Sequence, residues 1–290
     1  MTMKVALIEN PKSGKDLRFP VIDALREALK DVEIDHVKTE YVGHASSIAM
    51  SLINASDALF VAGGDGTLND TVQQISGITT VPILVIPTGT GSDFAKSLGI
   101  YSIQDSIQAF RNKKVVRVDS AMSHFDGKDR LFVNIAEIGF GASVMDRVNR
   151  SDTGRNVFMR SIMREVFNLK SYDLKVSCDG SEKEFSTAEI IIANGQYFGK
   201  GMHASPGSRM DDGFLDIHLI RRLGRLSLLM KLGSLRSGKY IEKNVVENFS
   251  CRKVSISGEK APIEMDGEVV GFTPVTIEVI PGSLSFYSNM

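Results

Sequence analysis

The chain has almost no cysteine. Cys178 and Cys251 stand far apart, with no second pair and no histidine cluster beside them. That excludes a disulfide framework or a zinc site and fits two free thiols in a reducing compartment. No apolar stretch approaches membrane-spanning length, and the opening MTMKVALIENPKSGK has too short an apolar run for a secretory signal. A cytoplasmic protein is expected, with peripheral contact at the inner membrane face left open. Neither charge is in excess: 34 Lys and Arg against 35 Asp and Glu leave a formal net charge of −1. No bulk basic field therefore advertises nucleic acid, and none is expected as a partner. Repeats, low-complexity tracts and flexible linkers are missing too. The five histidines show no ligand spacing.

What is present is an ordinary globular composition, 42% hydrophobic and 24% charged, in 290 residues, enough for two cores. Over the first 120 residues strand and helix patterns alternate. KVALIE, EIDHVKTE, DALFVA and VPILVIP read as strands, while FPVIDALREALK and HASSIAMSLINA read as helices. In the first helix Val21, Leu25 and Leu29 share one face. This alternation predicts a mostly parallel sheet covered by helices, a three-layer α/β domain, with ligands beyond the C-terminal strand ends.

After KKVVRVDSAM strand-like pieces dominate: RLFVNIAEIG, YDLKVSCDG, TAEIIIANG, GFLDIHLI, RKVSISG, PIEMDGE and TPVTIEVI. Helical stretches interrupt them around Phe158 to Asn168 and across RRLGRLSLLMKLGSLRSGKY. A second, antiparallel β-domain is expected over residues 122–280, following an α/β domain over 1–121.

Three glycine-containing loops follow candidate strands: NPKSGK, GGDGT and TGTGSD. In VAGGDGTLND, Gly63, Gly64 and Gly66 precede what reads as a helix from Thr67. A strand, a glycine loop and a helix start suit phosphate, because a helix N-terminus carries unpaired N–H donors and partial positive charge. A plain AspGly turn is the alternative. None of the loops is a Walker A or a dinucleotide fingerprint: NPKSGK lacks the leading glycine, GSDFAKS has Ala95 at the second glycine position, and GGDGTLN lacks the last glycine.

NPKSGK (10–15), GGDGTLND (63–70), PTGTGSDFAKSLG (87–99), RMDDGFLDI (209–217) and MDGE (265–268) together resemble the bacterial diacylglycerol kinase catalytic family of lipid kinases. GGDGT alone is shared with NAD kinases and 6-phosphofructokinases; the ordered set of five is specific. The resemblance implies an N-terminal nucleotide domain, a C-terminal β-sandwich, and transfer of the ATP γ-phosphate to a lipid hydroxyl in the cleft between them. It also implies that the last strand, GSLSFYS, returns with residues 281–290 to the first domain. Two positions depart from the family pattern: Ser92 stands where Asn is usual, and Asp70 where Glu is common.

By the same resemblance, Asn10, Pro11, Lys12, Ser13, Gly14, Thr39, Gly63, Gly64, Asp65, Gly66, Thr67, Leu68, Asn69 and Thr90 are expected at the nucleotide. Asp65, Asp93 and Asp119 are expected to form a carboxylate and water network around a catalytic Mg²⁺. Asp212, with the carbonyls of Arg209 and Phe214, would hold a structural Mg²⁺. Glu268 matches the family's proton acceptor, and Asp65 is the second catalytic candidate. Helix capping by Asp93 and strand-end solvation by Asp119 are the plain alternatives. The stretch Arg221 to Tyr240 carries six cations (Arg221, Arg222, Arg225, Lys231, Arg236, Lys239) and no acid, suiting either anionic headgroups or a solvated helix face. A soluble-substrate kinase of the NAD kinase type and a non-catalytic nucleotide-binding regulator remain the competing readings. The sequence leaves the acceptor lipid, a preference for ATP over GTP, and a homodimer open.

Overall fold

The computed structural model describes residues 2–13, 20–88, 92–151, 157–199, 201–221, 237–241 and 245–290. Gly14, Thr90 and most of the basic stretch (222–236) lie outside these described residues. The chain divides into two compact units, Met1–Ser120 with Ile280–Met290, and Ala121–Val279.

In the first unit the elements alternate: β1 (Met3–Glu9), α1 (Val21–Ala28), β2 (Val32–Lys38), α2 (His44–Leu52), β3 (Ala58–Gly63), α3 (Asp65–Val72), β4 (Ile83–Pro87), α4 (Asp93–Ser97), α5 (Ile103–Asn112) and the start of β5 (Val115–Phe125). The strands lie in the order β2-β1-β3-β4, all parallel, and the end of the last strand of the chain adds beside β4 with Phe286 opposite Ile83. β3 is buried along its whole length, as a central parallel strand covered on both faces must be. α1 and α5 pack together against β2 and β4, and α2 and α3 pack together against β1 and β3. On α1 the buried residues are Val21 and Leu25, with Leu29 buried just beyond it. α5 is started by Ser102, whose hydroxyl accepts from Asp105 N–H and donates to the Asp105 carboxylate.

The second unit is antiparallel. It holds β6 (Lys128–Phe132), β7 (Ile135–Gly139), α6 (Phe140–Asn149), α7 (Val157–Phe167), β8 (Tyr172–Cys178), β9 (Ser181–Ala193), β10 (Tyr197–Phe198), β11 (Met202–His203), β12 (Leu215–Arg221), β13 (Val246–Cys251), β14 (Lys253–Gly258), β15 (Pro262–Met265), β16 (Glu268–Phe272) and the first part of β17 (Val275–Tyr287). β9 organises the sandwich: its first half pairs with β8, and Glu189–Ala193 pair with β7 on one side and β12 on the other. The main core gathers Phe132, Ile138, Ile190, Ile192, Leu215, Ile217, Val254, Ile263 and Ile277 from these strands.

Three expectations are corrected here. RLFVNIAEIG is not one strand but two, because the carboxylate of Asp266 accepts from the N–H groups of Val133, Asn134 and Ile135 and takes them out of the ladder. α6 was not expected. Its start, FGAS, has two small residues and little helical periodicity, and packing on β7, β15 and β16 decides it. Asp119 does not follow a strand: it lies within β5 and is 2% exposed.

Candidate active site

In the first unit the C-terminal ends of the parallel strands bring Asn10 after β1, Thr39 after β2, Gly64 after β3 and Thr88 after β4 onto one rim. Hydrogen bonds tie these loops. Asn10 N–H donates to the Ala62 carbonyl at 2.9 Å, Asn10 Nδ2 donates to Thr67 Oγ1 at 3.0 Å, and Thr39 N–H donates to the Glu9 carbonyl. Lys12 N–H donates to Asn10 Oδ1, and Thr88 Oγ1 donates to Ser13 Oγ at 2.9 Å. Pro11 and Lys12 are exposed on this loop. Thr88 opens the TGTGSD loop singled out in the sequence but was not itself named there as a site residue.

α3 begins at Asp65, two residues before the expected Thr67, so Gly64 is its N-cap and Gly66 lies in its first turn. The three glycines then separate. A Cβ at Gly63 would lie 2.5 Å from Thr67 Cβ, so Gly63 makes room for protein. Gly64 and Gly66 face open space, and Gly66 is exposed. Thr67 and Leu68 N–H both donate to the Gly64 carbonyl, which leaves the first turn of α3 as the place where backbone N–H groups can meet an anion.

Leu68 and Asn69, expected at the nucleotide, have buried side chains. Leu68 belongs to the core, and Asn69 Oδ1 accepts from Gln73 Nε2, since helix α3 turns both side chains inward. Asp70 instead reaches α2, where its carboxylate accepts from Gly43 and Ala45 N–H.

The three aspartates expected around a catalytic metal each hold a backbone N–H group or a cation. Asp65 accepts from Asp93 N–H at 2.9 Å and Phe94 N–H at 3.1 Å, capping α4. Asp93, 2% exposed, pairs with Lys96 at 2.7 Å. Asp119 accepts from Gly282 N–H at 2.6 Å. Among the described residues no three His, Cys, Asp or Glu side chains gather to hold a metal ion directly. Ser92, the N-cap of α4, is buried.

In the second unit Asp266 (φ 47°) and Gly267 (φ 94°) form the two-residue turn between β15 and β16, which places Glu268 at the first position of β16. Glu268 is not a lone solvated carboxylate. Arg130 on β6 holds it, Nη2 to Oε2, at 2.5 Å. Arg130 and the three-bond anchor Asp266 both escaped the sequence reading; the only available signal was AspGly, which marks the turn but not its attachment. Arg209, Asp212 and Phe214 lie in one exposed loop before β12, where Asp212 Oδ1 accepts from Phe214 N–H and Arg209 pairs with Asp211.

Three further carboxylates lie under this turn. Glu137 on β7, Glu189 on β9 and Glu264 on β15 are each at most 5% exposed. Glu137 and Glu264 are register partners and hydrogen-bond to each other, so they share a proton. Burial pushes Glu137 up to about 7, and burial with the charge of Glu137 pushes Glu189 and Glu264 well above the usual carboxylate range. Gly267 N–H donates to Glu264 and Gly141 N–H to Glu189, so the cluster supports both the turn and the start of α6. Gly141 is required there: a Cβ would lie 2.5 Å from the Glu137 carboxyl. A charged residue inside the apolar runs IAEIG, TAEIII and PIEM was the missed signal.

Two family descriptions match the chain: "Diacylglycerol kinase catalytic domain" over residues 4–123 and "YegS C-terminal NAD kinase beta sandwich-like domain" over residues 134–288. The chain belongs to the bacterial diacylglycerol kinase catalytic family. This family of lipid kinases shares its fold with NAD kinases. A diacylglycerol kinase of Mycobacterium tuberculosis is 27% identical over 97% of this chain and 94% of its own length. A probable YegS-like lipid kinase of Shewanella frigidimarina is 25% identical over 97% and 93%. Among solved structures, a diacylglycerol kinase of Bacillus anthracis superposes with a TM-score of 0.73 at 22% identity, covering 99% of this chain and 97% of that one. An NAD kinase of Archaeoglobus fulgidus in complex with ATP gives 0.55 at 19% identity, covering 99% and 94%. These likenesses establish the α/β unit followed by the β-sandwich. Among the described residues no helix is long and apolar enough to cross a membrane.

Proposed function

We propose that this protein is an ATP-dependent lipid kinase that transfers the γ-phosphate to a lipid hydroxyl, with diacylglycerol as acceptor and phosphatidic acid as product. The observation that carries the reading is the open first turn of α3 at Gly64 and Gly66, set on the rim of a parallel sheet in a chain of this family. Phosphoryl transfer asks a protein mainly for positioning and charge. Backbone N–H groups at the start of α3 would hold phosphate. The Asn10–Thr67 and Ser13–Thr88 bonds would keep the surrounding loops from closing onto that space. Glu268 would take the proton of the attacking hydroxyl, and Arg130 would fix the orientation of its carboxylate. Mg²⁺ accompanying the nucleotide neutralises phosphate charge when bound.

The test is γ-labelled ATP offered with diacylglycerol, a second glycerolipid, a sphingoid base, an isoprenoid alcohol and NAD. Label in diacylglycerol is the expected result. Label in NAD alone would transfer the protein to the soluble-substrate class, and ATP binding with label in none of them would make it a regulator.

A further inference from the structure

α7 is seated on one side and bare on the other. Its inner face buries Ile162 and Val166 in a small core with Val144, against which Phe140, Val148, Phe158 and Leu169 pack. That contact holds the helix without help from its outer face. Yet Met159, Met163 and Phe167, spaced four residues apart, form an outward apolar stripe that is 59%, 39% and 62% exposed. Arg160 and Arg164 are exposed along the edge of that stripe, and exposed Lys170 follows the helix. No carboxylate among the described residues pairs with these three cations. The single acid on the helix, Glu165, is only 12% exposed and is taken by Arg147.

We propose that the outer face of α7 is a docking surface for an anionic lipid bilayer. An apolar stripe flanked by cations matches the two layers such a surface offers: acyl chains for Met159, Met163 and Phe167, and anionic headgroups for Arg160, Arg164 and Lys170. Charge complementarity selects this occupant. The chain as a whole has a net charge of −1, so attraction to an anionic surface must come from a local cluster of this kind. The surface is distinct in sequence from the basic stretch after Arg221, and its use to a kinase rests on the lipid-kinase reading, but docking itself requires no substrate.

The chain has no tryptophan, so Phe167→Trp installs a single fluorescent reporter at an exposed position. Its emission should shift to the blue with phosphatidylglycerol-containing vesicles and stay unchanged with phosphatidylcholine alone. In vesicle sedimentation of the full chain, Arg160→Gln with Arg164→Gln should weaken partitioning about 30-fold at low salt, taking about 1 kcal/mol per cation. Met163→Ser with Phe167→Ser should weaken it about tenfold or more. Circular dichroism and melting temperature should match the parent in every case, because these side chains lie outside the core of the helix. No sedimentation with anionic vesicles overturns the proposal, as does sedimentation without a spectral shift, which would put the contact elsewhere. Self-association of the parent chain, abolished by the serine variant, would make the occupant a second copy and also overturn it. Activity on detergent-dispersed lipid separates the two readings. Normal activity there with lost docking leaves the kinase intact, while docking without phosphorylation of any lipid removes the kinase and leaves the surface.

Discussion

Gly63 and Gly66 lack side chains for opposite reasons. Gly63 lies against Thr67, so Gly63→Ala drives a Cβ into that side chain and should destabilise the first unit by about 1–3 kcal/mol. Gly66 is helical and opens onto empty space. Gly66→Ala should therefore stabilise the fold by about 0.5–1 kcal/mol. If phosphate approaches that backbone, the same change should weaken ATP binding about tenfold, as expected for a lost or displaced charge-assisted hydrogen bond. Urea denaturation and calorimetric titration read the two effects separately; ATP affinity unchanged in the alanine variant would remove Gly66 from the site. Glu268→Gln keeps the size of the side chain and a hydrogen bond to Arg130 but removes the basic site. It should lower kcat by roughly 10²–10⁴ with ATP affinity nearly unchanged. A normal kcat would end the role of Glu268.

At the level of elements, α3 and α4 are coupled through one carboxylate. Asp65 at the start of α3 accepts both N–H groups that open α4. Asp65 therefore has a structural part as well as a charge, and neutralising it carries a cost. Asp65→Asn turns an amide donor toward one of the two N–H groups and should loosen α4 by about 1–2 kcal/mol. Faster hydrogen exchange at Asp93 and Phe94 is the measurement. Protected amides together with lost activity would show that the carboxylate acts through its charge after all. β1–β4 and α1–α3 were legible because each carries its own periodicity or an uninterrupted apolar run. α6 and the break at Val133 were not legible, because an anchor more than a hundred residues away, Asp266, and packing on distant strands produce them.

On the scale of the whole molecule, the buried Glu137, Glu189 and Glu264 make stability depend on pH. Glu137 is held near 7 in the fold against 4.5 for an ordinary glutamate. Below pH 4.5 both folded and unfolded chains keep this proton and its contribution is complete. As pH rises toward 7 the unfolded chain gives the proton up and the folded one must follow, so stability falls through that window. Glu137→Gln, which cannot ionise, should shrink the fall in unfolding free energy between pH 5 and pH 8. An unchanged difference would mean that these carboxyls ionise in the fold without penalty.

The sequence by itself determined the alternation that becomes a parallel sheet, the antiparallel grammar that follows it, and the loops that carry the family's motifs. Each of these is written in neighbouring residues, as a period of two, a period near 3.6, or glycines at fixed spacing. Only the tertiary structure decided what each polar residue does. Asp65 and Asp266 are carboxylates beside glycines in sequence and Asp70 stands inside a helical pattern, yet all three turn out to hold backbone N–H groups of other elements. Which N–H groups a carboxylate meets depends on strand register and helix placement, and those are set by packing between residues far apart in the chain.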